Sequence, residues 1–200
     1  MYKIDAMIHG TAGLLQHAFG QAQLAGLQER SSKRTAKPDY SFEWMDTMYT
    51  SPSKNGKTLL VQPATHIEGA MIKAGTNFKM RGRITYKDSV KGFIFVSPDA
   101  IPHLRDGEIV EAPDESLLES PTESMSVSIM RVVIQRSAVA RSRLLIAPGW
   151  ELAFNIAVQD DDISADTVYK ILEHAGHSIG IGDYRPRYGR FTISKFEVVE

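Results

Sequence analysis

The order of strand and helix signals along the 200 residues predicts an α+β fold, a ferredoxin-like, RRM-like β-α-β-β-α-β domain with insertions. Three observations carry that prediction. A strand signal opens the chain at Tyr2–Ile8. Trp150, Leu152, Phe154 and Ile156 share one face of a strand over Trp150–Val158. One helix signal follows Pro63, and a second lies between Ser164 and Gly176.

Taken in order, Tyr2–Ile8 reads as a strand with imperfect alternation. The small-residue stretch after it holds Gly10, Gly13, Gly20 and Gly26, and its apolar residues Leu14, Leu15, Phe19 and Leu24 suit a loose helix or an ordered loop. Residues 28–41, rich in Ser and base and broken at Pro38, read as an exposed loop within an inserted region over 28–62. That region also holds a short helix around Phe42–Tyr49 and a turn at Ser51–Thr58. Ile67, Ala70, Met71 and Ala74 have helical spacing, which predicts a helix over Thr65–Phe78. Gly92–Val96 is an apolar strand. Residues 100–128, acidic and holding Pro113 and Pro121, read as an insertion or mobile loop. Met130–Gln135 and Val139–Ile146 form a strand pair, followed by the strand Trp150–Val158. Asp160–Asp162 and Ser164 cap a helix over Ala165–Ala175, Gly176 stops it, and Arg190–Val198 is the last strand. No repeat divides the chain, so residues 1–200 read as one domain.

Composition narrows the function classes. With no cysteine there are neither disulfides nor thiolate metal sites. No apolar run approaches the roughly 20 residues of a membrane span, and the expectation is a soluble, cytoplasmic protein without a membrane partner. The net charge is −1, but seven acids and no base lie between Asp106 and Glu123; without them the remainder carries +6. Bases cluster elsewhere. Lys73, Lys79, Arg81, Arg83, Lys87 and Lys91 are accompanied by Asp88 alone, and Arg131, Arg136, Arg141 and Arg143 have no acid among them. Such asymmetry builds either a basic groove or ordinary solvated faces.

The segment Gly176–Phe191 concentrates the chemistry. Gly180 and Gly182 permit close backbone approach, Tyr184 and Tyr188 offer stacking surfaces, and Arg185, Arg187 and Arg190 offer phosphate contacts. The plain alternative is a tight connection whose arginines pair with Asp183 and neighbouring acids. A helix precedes this segment and a strand follows it, the reverse of a dinucleotide fingerprint. Gly56-Lys57-Thr58 lacks the upstream glycine of a phosphate-binding P-loop. The six histidines show no HExxH spacing, and Asp160–Asp162 reads as a helix start. No metal, cofactor or catalytic residue is assigned on these grounds.

Pro63-Ala64-Thr65-His66-Ile67-Glu68-Gly69-Ala70-Met71-Ile72-Lys73 resembles the I-P-G-S-S-x-K-G-A-x-R helix opening of the RAMP superfamily of CRISPR proteins, with departures at Ala64, Glu68 and Met71. The turn Gly10–Leu15 and the C-terminal glycine-rich loop fit the same superfamily, in which the chain is most similar to the Cas-seven-type backbone subunit. That resemblance implies a non-catalytic subunit that assembles head to tail as a homo-oligomer along single-stranded guide RNA, beside other effector-complex subunits. It also implies that Lys73, Arg185, Arg187 and Arg190 contact phosphates. Arg131, Arg141 and Arg143 of the basic hairpin, and Lys33, Arg34 and Lys37 of the loop, would reach the same strand or a neighbouring subunit. Related proteins occur in phages and mobile elements, and some are ribonucleases, for which His9, His17, Asp39 and Asp46 stand after the first strand. The alternatives are therefore an endoribonuclease of the same fold, a phage-type single-stranded DNA-binding or annealing protein, and a purely structural module.

Overall fold

Alternation at the N-terminus sets the axis of the fold. In a computed structural model describing residues 1–18, 43–134 and 137–199, strand β1 (Tyr2–Gly10) buries Ile4, Ala6 and Ile8. Side chains 132–134 and 137–139 are not described, and the loop read at 28–41 lies outside the described residues. A turn leads from β1 to β2 (Leu14–Leu15). The next described elements are α1 (Glu43–Asp46), β3 (Thr50–Pro52), β4 (Thr58–Pro63) and α2 (Ala64–Gly75). The hairpin of β5 (Lys79–Arg81) and β6 (Ile84–Thr85) precedes α3 (Lys87–Phe93), β7 (Ile94–Ser97), β8 (Ala100–Arg105) and β9 (Glu108–Ile109). After a 3-10 turn at Glu115–Leu118 come β10 (Met125–Ile134), β11 (Ser137–Ile146), β12 (Glu151–Val158), α4 (Ala165–His174) and β13 (Phe191–Val199).

The result is a mixed α/β architecture dominated by antiparallel sheet. The main sheet runs β13-β1-β12-β8-β4-β3, with β7 also on β12 and β9 on β8. Every pairing in it is antiparallel. A second sheet is the long hairpin β10-β11 extended by β2. Along β12, Leu152, Phe154, Ile156 and Val158 are buried while Ala153 and Asn155 face outward. The inward set meets Ile67, Ala70 and Met71 of α2 and Val168, Ile171 and Leu172 of α4 within one core cluster. Each large apolar side chain so buried stabilises the fold by about 1.5–3 kcal/mol. The Ser164 side chain caps α4 by accepting from the Thr167 N–H, as its position predicts.

Several elements depart from the sequence reading. The strand placed at Gly92–Val96 begins at Ile94, because Lys87–Phe93 is helical and buries Val90 beneath it. Strands β4 and β8 run through segments read as turn or insertion. The acidic segment carries β9 and the 3-10 turn, which is capped by Asp114 and anchored by the buried Leu117. No helix among the described residues is long and apolar enough to cross a membrane.

Candidate nucleic-acid interface

The two glycine-bearing turns, remote in sequence, close on each other. The Gly189 N–H donates to Gly13 O (2.8 Å), the Asp183 N–H to Leu15 O (2.9 Å) and the Thr11 N–H to Arg190 O (2.9 Å). Within the loop, the Ile181 N–H donates to Gly189 O at 2.9 Å. Gly189 has a φ of +72°, and a Cβ there would meet Ile181 O at 1.8 Å. Gly182, at φ +76°, would place a Cβ 2.5 Å from Leu15 O. Gly180 likewise has a positive φ, at the end of a π-turn over Ala175–Ile179. These glycines are what lets the loop seat against β2. Tyr184 adopts φ 55°, a region that L side chains rarely occupy, and the residue is 42% exposed.

Seated this way, the loop presents its cations outward. Arg185, Arg187 and Arg190 are exposed, and none forms an ion pair with a carboxylate among the described residues. Lys73, from the last turn of α2, meets the loop at a recess of about 270 Å3 lined also by Ser178, Ile179, Gly182, Asp183, Tyr184, Arg185 and Pro186. A wider, open concavity of about 880 Å3 adjoins through the shared Ser178 and Pro186 and is lined by His177, Arg187 and Arg190.

The other basic candidates fare differently. Arg81 and Arg83 lie exposed on the β5–β6 hairpin, and Arg131 is exposed on β10, but the two concavities are not lined by them. Arg141 pairs with the buried Glu43 of α1. Arg143 is buried, with Nε 2.6 Å from Asp183 Oδ2 and 3.1 Å from His17 Nδ1. Its guanidinium also lies 5.9 Å from the centre of the Tyr184 ring. Arg143 therefore supports the loop from beneath. Tyr188 is half-buried, near Gly13.

Under the loop runs a polar network that sequence reasoning missed. Gln16 Nε2 donates to Val61 O (2.8 Å), and Gln16 Oε1 accepts from the Tyr49 N–H (2.9 Å). Gln62 bridges the buried His103 and His66, and His66 meets the Tyr49 ring edge-on. Burial holds the His103 imidazole down at about 3. His66 is lowered by burial and then by the nearby Arg185 guanidinium. His17 is lowered first by burial and next by Arg143. His66 stands inside the quoted helix opening; Gln16 and Gln62 carry no sequence signal of their own. Among the described residues, no three His, Cys, Asp or Glu side chains gather as metal ligands would.

Comparison with known proteins places the fold. No protein-family model matches the chain, and neither does any curated protein. Matching folds occur in 102 chains of solved structures. One is a chain of the cryo-EM structure of the Type III-B Cmr-beta bound to cognate target RNA, with a TM-score of 0.59 and 12% identity. The alignment covers all of this chain and 61% of that one, a likeness that establishes shared fold alone.

Proposed function

We propose that this chain is a non-catalytic, single-stranded RNA-binding subunit of the RAMP type, built on a ferredoxin-like core. In support of that core, strands β13-β1-β12-β7 follow the 4-1-3-2 order of a β-α-β-β-α-β unit, with α2 and α4 as its two helices. The remaining strands are then the insertions. The observation that carries the function is the convergence of Lys73 with a loop whose three arginines have no carboxylate partner among the described residues. Unpaired cations beside exposed Tyr184 suit a polyanion carrying stackable bases. The fold match to a complex bound to target RNA agrees with this reading, as does the RAMP-like helix opening. Head-to-tail assembly along a guide RNA, with other effector subunits and in the cytoplasm, completes the proposal.

Replacing Arg185, Arg187 and Arg190 together by Ala is expected to weaken binding of all RNA sequences alike. Binding of labelled RNA by this variant at the affinity of the unaltered protein would remove the loop from the site.

A second reading, an endoribonuclease, draws on one observation: His17 and His66 remain neutral near pH 7 beside the Asp183–Arg185 loop. Discrete products that vanish in His17→Ala or His66→Ala, with binding retained, would favour it over the non-catalytic reading.

A further inference from the structure

We infer that Asp183 reads the ribose 2′-hydroxyl, making the recess selective for RNA over DNA; the inference rests on the nucleic-acid reading above. A carboxylate is out of place in a phosphate site unless it is neutralised and has a donor to meet. Arg143 supplies the neutralisation, its Nε lying 2.6 Å from Oδ2. Oδ2 is buried, yet the Asp183 side chain is 30% exposed and lines the recess, so the exposed acceptor is Oδ1. No donor among the described residues reaches Oδ1. An ionised carboxylate only accepts hydrogen bonds, so its partner on the ligand must be an N–H or O–H.

The kinds of group that line the recess say which. Lys73 and Arg185 offer positive charge for a phosphate, and the exposed Tyr184 ring offers a face for a base. Asp183 lines the same recess and adjoins Tyr184 in the chain. In a nucleotide the sugar joins base to phosphate, so an acceptor that lines the same recess as the two cations and is next to the stacking residue in the chain is matched to the sugar. Only RNA presents a donor there, the 2′-hydroxyl. At about 270 Å3 the recess is close to the lower end of ligand pockets, roughly 300–1,000 Å3, and takes one nucleotide unit rather than a run.

The test compares labelled 12-mers of uridine, deoxyuridine and 2′-fluoro-deoxyuridine by fluorescence anisotropy at low salt. The base is constant, and the 2′-fluoro strand keeps a ribose-like sugar without the donor. The uridine strand is expected to bind about tenfold to a hundredfold tighter than either of the others, the value of one hydrogen bond to a charged group. In the double variant Arg143→Met/Asp183→Ala, which leaves neither charge unpaired, that ratio is expected to fall to about one. Equal binding of the uridine and 2′-fluoro strands by the unaltered protein overturns the inference, whether or not the variant folds. So does a preference that persists in the folded double variant. Absence of binding to all three strands instead overturns the underlying nucleic-acid reading.

Discussion

Arg141 and Arg143 look, in the sequence, like Arg185 and Arg187: two arginines, one residue apart, in a segment free of nearby lysine. In the folded chain they are opposites. The first pair is turned inward, Arg141 against Glu43 and Arg143 against Asp183. The second pair is exposed and has no carboxylate partner among the described residues. The difference lies in what the topology brings to them. Strand β11 runs between α1 and the C-terminal loop, so each of its arginines meets an acid from a distant segment. The loop itself is held by backbone bonds to Gly13 and Leu15 and by the Asp183 carboxylate on Arg143, and its own arginines are left free of that work. An inner arginine thus holds the loop, and an outer one is available to a ligand.

The sharpest way to break this contrast is to remove one member from each side. Arg143→Ala leaves Asp183 without its ion-pair partner in a largely buried setting, and a loss of about 3–5 kcal/mol is expected in urea denaturation. Arg187→Ala should change stability by no more than about 0.5 kcal/mol. Comparable losses from the two variants would erase the distinction.

The buried end of the polar network gives the next effect in size, and its sign follows from linkage. His103 is held at about 3 by burial, whereas the unfolded chain titrates near 6.5. Between those values the unfolded state binds more protons, so stability is full above about 6.5 and declines as pH falls toward 3. At pH 4.5 this group alone is expected to cost ~3 kcal/mol relative to neutral pH. Subtracting the pH profile of His103→Gln from that of the parent isolates the contribution. A difference flat between pH 7 and 4.5 would refute it.

For the outer arginines the expected effect is on binding. With Arg185, Arg187 and Arg190 all replaced by Ala, affinity near 0.1 M salt should fall by about tenfold to a hundredfold. The slope of log affinity against log salt should flatten by about 2, since each single-strand phosphate contact contributes roughly 0.7. Weaker binding with an unchanged slope would mean that the arginines shape the loop instead of meeting phosphates.

The outer half of the comparison was legible in the sequence, because glycine, tyrosine and arginine are concentrated in one segment between a capped helix and a strand. The meeting of Lys73 with that segment was legible only through the family resemblance. The inner half was not legible: Glu43 stands 98 residues before Arg141, and neither acid has a local pattern tying it to its arginine. Most of the core strands and both long helices followed from periodicity. Strand β8 escaped because Pro102 breaks its signal, although it carries the buried His103. Helix α3 escaped because it buries Val90 alone, leaving no apolar stripe to count. Gly180 and Gly182 were read as room for a ligand, and in the fold their space is taken by Tyr188 and by Leu14 and Leu15.

His66 lies between the two classes, which makes it the finest probe of the boundary. Burial and the Arg185 guanidinium both keep its imidazole below the ordinary value, so it is neutral in the free protein near pH 7. A phosphate bound at Arg185 would offset that positive charge and raise the His66 value in the complex. Protons are then taken up on binding, and affinity must increase as pH falls. A gain of about twofold to fivefold in RNA affinity is expected between pH 7.5 and 5.5, smaller than the full electrostatic effect because Tyr49 and Gln62 partly shield the ring. His177 lines the wider concavity, and His177→Gln is the control. Loss of the pH dependence in His66→Gln but not in His177→Gln assigns it to the recess, and the reverse would move the bound phosphate out toward Arg187 and Arg190.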